Sequence, residues 1–131
     1  MGTSLLGLKA SVETVTRSPP VTVLFSDTVS TITEKMVSNN IGAVIVMSGG
    51  SPTGMVTERD IVRKVVRGRK DPNKTRAQEI MAVPLVSIET DKSIRDALRL
   101  MRDSKIRRLA VTRNGRLIGQ VTERRLLDSL V

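Results

Sequence analysis

An α+β fold of two tandem β-α-β-β-α repeats is what this sequence predicts, and three observations carry it. The chain repeats itself at a shift of 65 residues with no gap, so that Met36 falls on Met101, Ile41 on Ile106, Val46 on Val111 and Gly54 on Gly119. Within each copy, short runs rich in Val and Ile alternate with stretches whose apolar residues recur at helical spacing. Each copy also closes a strand and opens a helix with nearly the same residues: Gly54-Met55-Val56-Thr57-Glu58-Arg59-Asp60, then Gly119-Gln120-Val121-Thr122-Glu123-Arg124-Arg125.

In chain order, residues 1–12 give little periodic signal and read as a partly ordered lead-in. Glu13 to Arg17 can form one helical turn, stopped by Pro19-Pro20. β-Branching makes Val21-Thr22-Val23 a short strand. Ser26 or Asp27 can cap a helix whose apolar face is Val29, Ile32, Met36 and Val37, and Asn39-Asn40 marks its end. Ala43 to Met47 is an apolar run of strand length. The turn residues Ser48-Gly49-Gly50-Ser51-Pro52 and the return strand Gly54 to Val56 make it a hairpin. A helix from Glu58 to about Arg67 follows, with Ile61, Val62, Val65 and Val66 as its buried stripe and Gly68 as its stop.

Arg69 to Arg76 is a polar, basic linker, after which the order repeats. Gln78 to Met81 is a helical turn, Pro84 matches Pro19, and Val86-Ser87-Ile88 is a strand. Ile94, Leu98 and Met101 stripe a helix. Leu109 to Thr112 and Leu117 to Val121 flank the two-residue turn Asn114-Gly115, and Glu123 to Leu130 is the last helix. The division is therefore a first repeat with its lead-in over 1–68, a linker over 69–76 and a second repeat over 77–131. A unit of this size buries too little surface to stand alone. Two copies are expected to pack sheet to sheet about a pseudo-twofold axis, around a central cleft.

Composition removes several function classes. The chain lacks Cys and His, so disulfides, a thiol nucleophile, the commonest metal ligands and the commonest general base are absent. No nucleophile–base pair or Walker-type glycine loop is present, and an enzyme is not expected. No apolar run approaches the roughly 20 residues of a membrane helix. The Ser4-Leu5-Leu6-Gly7-Leu8 run is too short for a signal-peptide core. Met1-Gly2 begins like a myristoylation signal, but Leu6 stands where Ser or Thr is wanted. A soluble cytoplasmic protein is expected. The net charge of +9 is unevenly placed: residues 63–76 carry 7 basic groups against Asp71 alone. Such a cluster is either a solvated helix end and linker or a contact for nucleic-acid phosphates or an acidic partner.

The repeat order, the segments Ile41-Gly42-Ala43-Val44-Ile45-Val46 and Ile106-Arg107-Arg108-Leu109-Ala110-Val111, and the two Gly-x-x-Thr segments together resemble the CBS-domain family, in particular a tandem pair (a Bateman module). The resemblance covers about residues 11–131. It departs where the family usually has proline, at Ile45 and Ala110. It implies a regulatory module that binds an adenosine-containing ligand of the AMP, ADP or ATP class and commonly dimerises; no catalytic cofactor is implied.

Thr57 and Asp60 carry two readings of one geometry. As N-cap and N3 residue they form a helix capping box. At a helix N-terminus the same threonine can bind a phosphate oxygen, and the carboxylate can accept from both hydroxyls of a ribose. The resemblance implies this second role. Gly42 and Ala43 are small enough to leave room for a base, which aliphatic and backbone groups near Pro19, Pro20 and Val21 would hold. By the same resemblance Arg107 or Arg108 reaches ligand phosphates; the alternative is two solvated arginines. The second copy keeps Thr122 but replaces the carboxylate with Arg125, a donor that cannot accept from a diol. One competent site is therefore expected, with Thr122 and Arg125 marking a degenerate second one.

Three functions follow: a stand-alone adenine-nucleotide sensor acting through a protein effector or a homodimer, a basic nucleic-acid-associated protein on the same scaffold, and a structural adaptor with an empty cleft.

Overall fold

A computed structural model of the chain describes residues 7–131. The Met1-Gly2 start, Leu6 and most of the run 4–8 lie outside the described residues. The described residues form two compact units, one of Val21–Leu85 and one of residues 7–20 with 86–131. We call them the first-repeat and second-repeat units.

In the first-repeat unit, strand β1 (Thr22–Leu24) runs parallel to β2 (Ala43–Ser48), which pairs antiparallel with β3 (Ser51–Thr57), giving the sheet order β1-β2-β3. Helix α1 (Val29–Asn39) joins β1 to β2. After β3 the chain enters α2 (Glu58–Asp60) and continues as a wider helical turn, Ile61–Val66. There Arg67 N–H reaches back five residues to the Val62 carbonyl at 2.9 Å. The short helix α3 (Ala77–Ile80) closes the unit. The second-repeat unit repeats this design. Strands β4 (Ser87–Glu89), β5 (Arg108–Arg113) and β6 (Arg116–Thr122) form its sheet, with α4 (Ile94–Ser104) between β4 and β5 and α5 (Glu123–Asp128) after β6. Both sheets shift register at the same place, between Val46 and Met47 and between Val111 and Thr112.

The units are cut differently from the repeats. The segment that precedes the first repeat packs into the second-repeat unit, where Val12 N–H donates to Lys92 O (2.8 Å), Ile94 N–H to Ala10 O (2.9 Å) and Arg17 N–H to Gln120 O (2.8 Å). The segment that precedes the second repeat packs into the first-repeat unit in the same way: Val29 N–H donates to Thr75 O and Ala77 N–H to Asp27 O, both at 2.8 Å. The sequence boundaries at 68 and 77 thus separate the repeats but not the folded bodies. A lead-in helix has one apolar face and must bury it somewhere. Val12 and Val15 do so in one core, and Ala77 and Ile80 in the other.

This packing explains the glycine of each Gly-x-x-Thr segment. Gly119 faces the carbonyl of Arg17 so closely that a Cβ would lie 2.3 Å from it, and at Gly54 a Cβ would lie 2.8 Å from the Ala82 carbonyl. Each glycine lets a lead-in strand pair against the hairpin at Met55–Ala82 and Arg17–Gln120.

Aliphatic residues alone fill the cores, with Val23, Val29, Ile32, Val44, Val46 and Val56 at 1% exposure or less in one unit. Three sequence expectations need correction. Val37 is 81% exposed, and Val62 and Val66 are 58% and 68% exposed. Val29, Ile32 and Met36 already form the seam of α1, and Val37 lies about 100° round from Met36. Likewise Val65 is buried with Ile61 packed beside it, which leaves the next positions outside. The cap of α1 is Thr28, whose Oγ1 accepts from Thr31 N–H, while the Asp27 carboxylate accepts from Leu24 N–H. The left-handed residue after the Ile61–Val66 turn is Arg69 (φ 55), not Gly68.

Candidate functional site

The first-repeat unit brings together four of the residues singled out from sequence. Ala43 opens β2 and stands opposite Thr57 at the end of β3. Val21 lies at the start of β1, its carbonyl accepting from Ile45 N–H at 3.0 Å, and Ile45 shares the Ala43 face of β2. Asp60 stands one turn beyond Thr57. The capping box is formed in full: Thr57 Oγ1 accepts from Asp60 N–H (3.2 Å), and Asp60 Oδ2 accepts from Thr57 N–H (2.9 Å) and the Thr57 hydroxyl (3.0 Å).

The box occupies one oxygen of the carboxylate. Asp60 Oδ1 has Lys64 Nζ at 3.6 Å, and the Asp60 side chain is 18% exposed. An ionised carboxylate offers about four acceptor positions, so capping leaves Oδ1 with acceptor capacity. The two readings of Thr57 and Asp60 are compatible in space. Lys64 is the participant that sequence reasoning missed, although its signal was present as the i,i+4 spacing from Asp60. Its ammonium also donates to the Ile80 carbonyl at 2.9 Å, at the C-terminal end of α3.

The other five residues lie in the second-repeat unit. Pro20 ends its N-terminal segment. Arg108 pairs with Thr122 as Ala43 does with Thr57, and it is half-buried where Ala43 is buried. Arg107 is a surface residue, its side chain 83% exposed with Nε 4.0 Å from Glu123 Oε1. Thr122 Oγ1 accepts from Arg125 N–H (3.2 Å), so the threonine half of the cap persists without the carboxylate half.

Arg125 has a different task. Its Nε donates to the Val15 carbonyl at 3.0 Å. Val15 is the repeat equivalent of Ile80, and both carbonyls end a short lead-in helix whose terminal acceptors favour a cation. The first unit therefore uses Asp60 and Lys64 where the second uses Arg125 and Ser129. In the second unit the cation has moved onto the carboxylate's position and performs the lysine's role.

The chain matches the CBS domain twice, over residues 12–67 and 77–131. The chain belongs to the CBS-domain family. It is 39% identical over 120 residues to the uncharacterized protein MK0525 of Methanopyrus kandleri, covering 90% of this chain and 61% of that one. It is 38% identical over 90 residues to YlbB of Bacillus subtilis, covering 67% and 60%. This chain thus spans about three-fifths of the length of those two relatives. Among solved structures, a hexameric CBS-CP12 protein from bloom-forming cyanobacteria superposes with a TM-score of 0.85 at 28% identity, covering 92% of this chain and 71% of that one. Hypoxic Response Protein I, solved with two coordinated zinc ions, gives 0.80 at 27%, covering 91% and 98%. Zinc does not suit this CBS chain: it has no His or Cys, and no cluster of three acidic ligands occurs among the described residues. No helix among the described residues is long and apolar enough to cross a membrane.

Proposed function

We propose that this chain is a regulatory CBS module that binds one adenine nucleotide of the AMP, ADP or ATP class at Thr57 and Asp60. The observation that carries the reading is the divided carboxylate: Oδ2 holds the cap while Oδ1 keeps acceptor capacity for a ribose hydroxyl. Ala43 and Val21 supply the small and aliphatic surroundings that a base needs in a chain without a stacking ring nearby. The second-repeat site is not expected to take a nucleoside, because Arg125 is committed to Val15 and offers no acceptor. The module is read as a homodimer, on the strength of the exposed aliphatics Val37, Val62 and Val66, and as acting on a protein effector.

Calorimetric titration with AMP, ADP and ATP tests the reading. One nucleotide per chain is expected, with Asp60→Ala weakening the preferred nucleotide more than about tenfold, the equivalent of one charge-assisted hydrogen bond. Unchanged affinity in that variant refutes the assignment.

A second reading rests on Arg63, Arg67, Arg69, Lys70 and Lys74, which are exposed and make no ion pair among the described residues. If they bind nucleic acid, affinity for duplex DNA falls steeply with salt. Neutralising Arg67, Arg69, Lys70 and Lys74 then abolishes that binding and leaves nucleotide affinity unchanged.

A further inference from the structure

The carboxylate of Asp60 stands beside a cation whose own position is fixed by a third group. Lys64 Nζ lies 3.6 Å from Asp60 Oδ1 and donates to the Ile80 carbonyl at 2.9 Å. An ammonium has three donors, of which Ile80 takes one. At 3.6 Å the second cannot make a direct hydrogen bond to Oδ1. The gap is nevertheless short enough for one oxygen to lie within hydrogen-bond distance of both groups. That oxygen has to donate to the carboxylate and accept from the ammonium. A hydroxyl does this, as does the water it would displace; a phosphate oxygen only accepts, and the carboxylate repels it. Both side chains are open to solvent in part, Asp60 at 18% and Lys64 at 45% exposure.

The second-repeat unit is built differently at the same place. Ser129 is the repeat equivalent of Lys64, and its hydroxyl donates to the Leu126 carbonyl at 2.6 Å. Arg125 replaces the carboxylate and is held on the Val15 carbonyl. The backbone differs as well: Lys64 sits in the wide turn Ile61–Val66, whereas α5 runs as an ordinary α-helix to Asp128. Wide turns of this kind are frequent at functional sites. The acceptor and donor side by side are therefore a property of the first unit and not of the repeat.

We infer that Lys64 sets the sugar specificity of the nucleotide site, donating to the same ribose hydroxyl that Asp60 accepts from and so selecting a ribonucleotide over its deoxy counterpart. The inference rests on the nucleotide reading above and adds the residue that reads the sugar. A deoxy ligand leaves both Oδ1 and the ammonium without that partner, and a site built for a hydroxyl discriminates strongly against its loss.

Calorimetry with AMP, ADP, ATP and their 2′-deoxy and 3′-deoxy counterparts tests it, on the parent and on Lys64→Met, which keeps the stem and removes the donors. One of the two deoxy series is expected to bind the parent about tenfold or more weaker than the ribonucleotides. Lys64→Met should lose about fivefold or more in affinity for the ribonucleotide, yet bind that deoxy form within about twofold of the parent. The Ile80 carbonyl also loses its donor in this variant. Lys64→Gln, a second neutral variant that keeps an amide donor, is therefore measured beside it and is expected to show the same loss of discrimination. If both variants weaken ribo and deoxy forms alike, Lys64 supports the fold and reads no sugar, and the inference is overturned while the nucleotide site stands. A loss that grows from AMP to ATP at an unchanged ribo-to-deoxy ratio puts Lys64 on the phosphates and overturns it equally. A parent that binds none of these nucleotides overturns the nucleotide reading, and the inference with it.

Discussion

Replacing each repeat glycine by alanine should destabilise the protein unequally, and the structure gives the order. At Gly119 the new Cβ meets the Arg17 carbonyl at 2.3 Å and Thr16 Cγ2 at 2.5 Å, more than 1 Å inside the ordinary contact range that begins at 3.4 Å for the first of these. The nearer neighbour is backbone and is held by two hydrogen bonds, Arg17 N–H to Gln120 O at 2.8 Å and Gln120 N–H to Arg17 O at 3.0 Å. Relief requires the lead-in strand to move and both bonds to weaken, at about 1 kcal/mol each, in addition to about 1–3 kcal/mol for overpacking. A loss of about 3–4 kcal/mol is expected. At Gly54 the contacts are looser: Ala82 O at 2.8 Å, the Met81 sulfur at 3.0 Å and a Val83 methyl at 3.1 Å. A thioether swings away easily, so about 1–2 kcal/mol is expected. Urea denaturation followed by circular dichroism measures both. With a slope of about 2 kcal/mol per M, the two midpoints should differ by about 1 M, with Gly119→Ala the lower. Equal midpoints, or the reverse order, would refute the argument that the lead-in contact fixes these glycines.

Three other predictions follow from the caps and the carboxylates. Asp60→Asn keeps a carbonyl acceptor for Thr57 N–H but loses the charge, so it should retain stability within about 0.5 kcal/mol while weakening nucleotide binding. Asp60→Ala should lose both, including a capping term of about 1 kcal/mol, as read by denaturation beside calorimetry. Arg125→Asp alone should destabilise by about 1–2 kcal/mol, because Val15 O loses its donor. Adding Ser129→Lys restores that donor, and if the nucleotide reading holds, the double variant gains a second nucleotide per chain in a titration. Glu89 is held below its ordinary value of 4.5 by the Thr112 hydroxyl, against a smaller opposing effect of burial, with the N–H groups of Asn114 and Gly115 helping. Asp96 is likewise held below 3.8 by the Ser93 cap. A depressed carboxylate stabilises the fold fully above its unfolded pKa and loses that contribution as pH falls through the folded value. The urea midpoint should therefore drop as pH falls below about 4.5, and Glu89→Gln should reduce the drop.

The order and type of elements were readable because they follow from periodicity, and the one-to-one repeat made each half a check on the other. Asn114-Gly115 announced its turn and takes positive φ at both positions, 52° and 80°. Burial at Val37, Val62 and Val66 was misjudged because those positions adjoin a true seam, and only the packed structure settles how wide the seam is. The capping box at Thr57 was legible from spacing, and the structure contains it. The use of Arg125 was not legible: its partner, the Val15 carbonyl, lies 110 residues away. A backbone acceptor leaves no mark in the sequence. Nor could linear reading have placed the lead-ins, since each sits beside its own repeat in sequence and inside the other unit in space.

That exchange of lead-ins sets an order of events during synthesis. The unit Val21–Leu85 is complete once Leu85 has left the ribosome, and it can close while the remainder is still being made. The segment before it, made earlier, cannot yet be placed. Val12 and Val15 have no core until α4 and β6 exist, and the backbone bonds between Arg17 and Gln120 form only once Gln120 has emerged. The segment from Val12 to Arg17 is thus made before the first-repeat unit and folds after it.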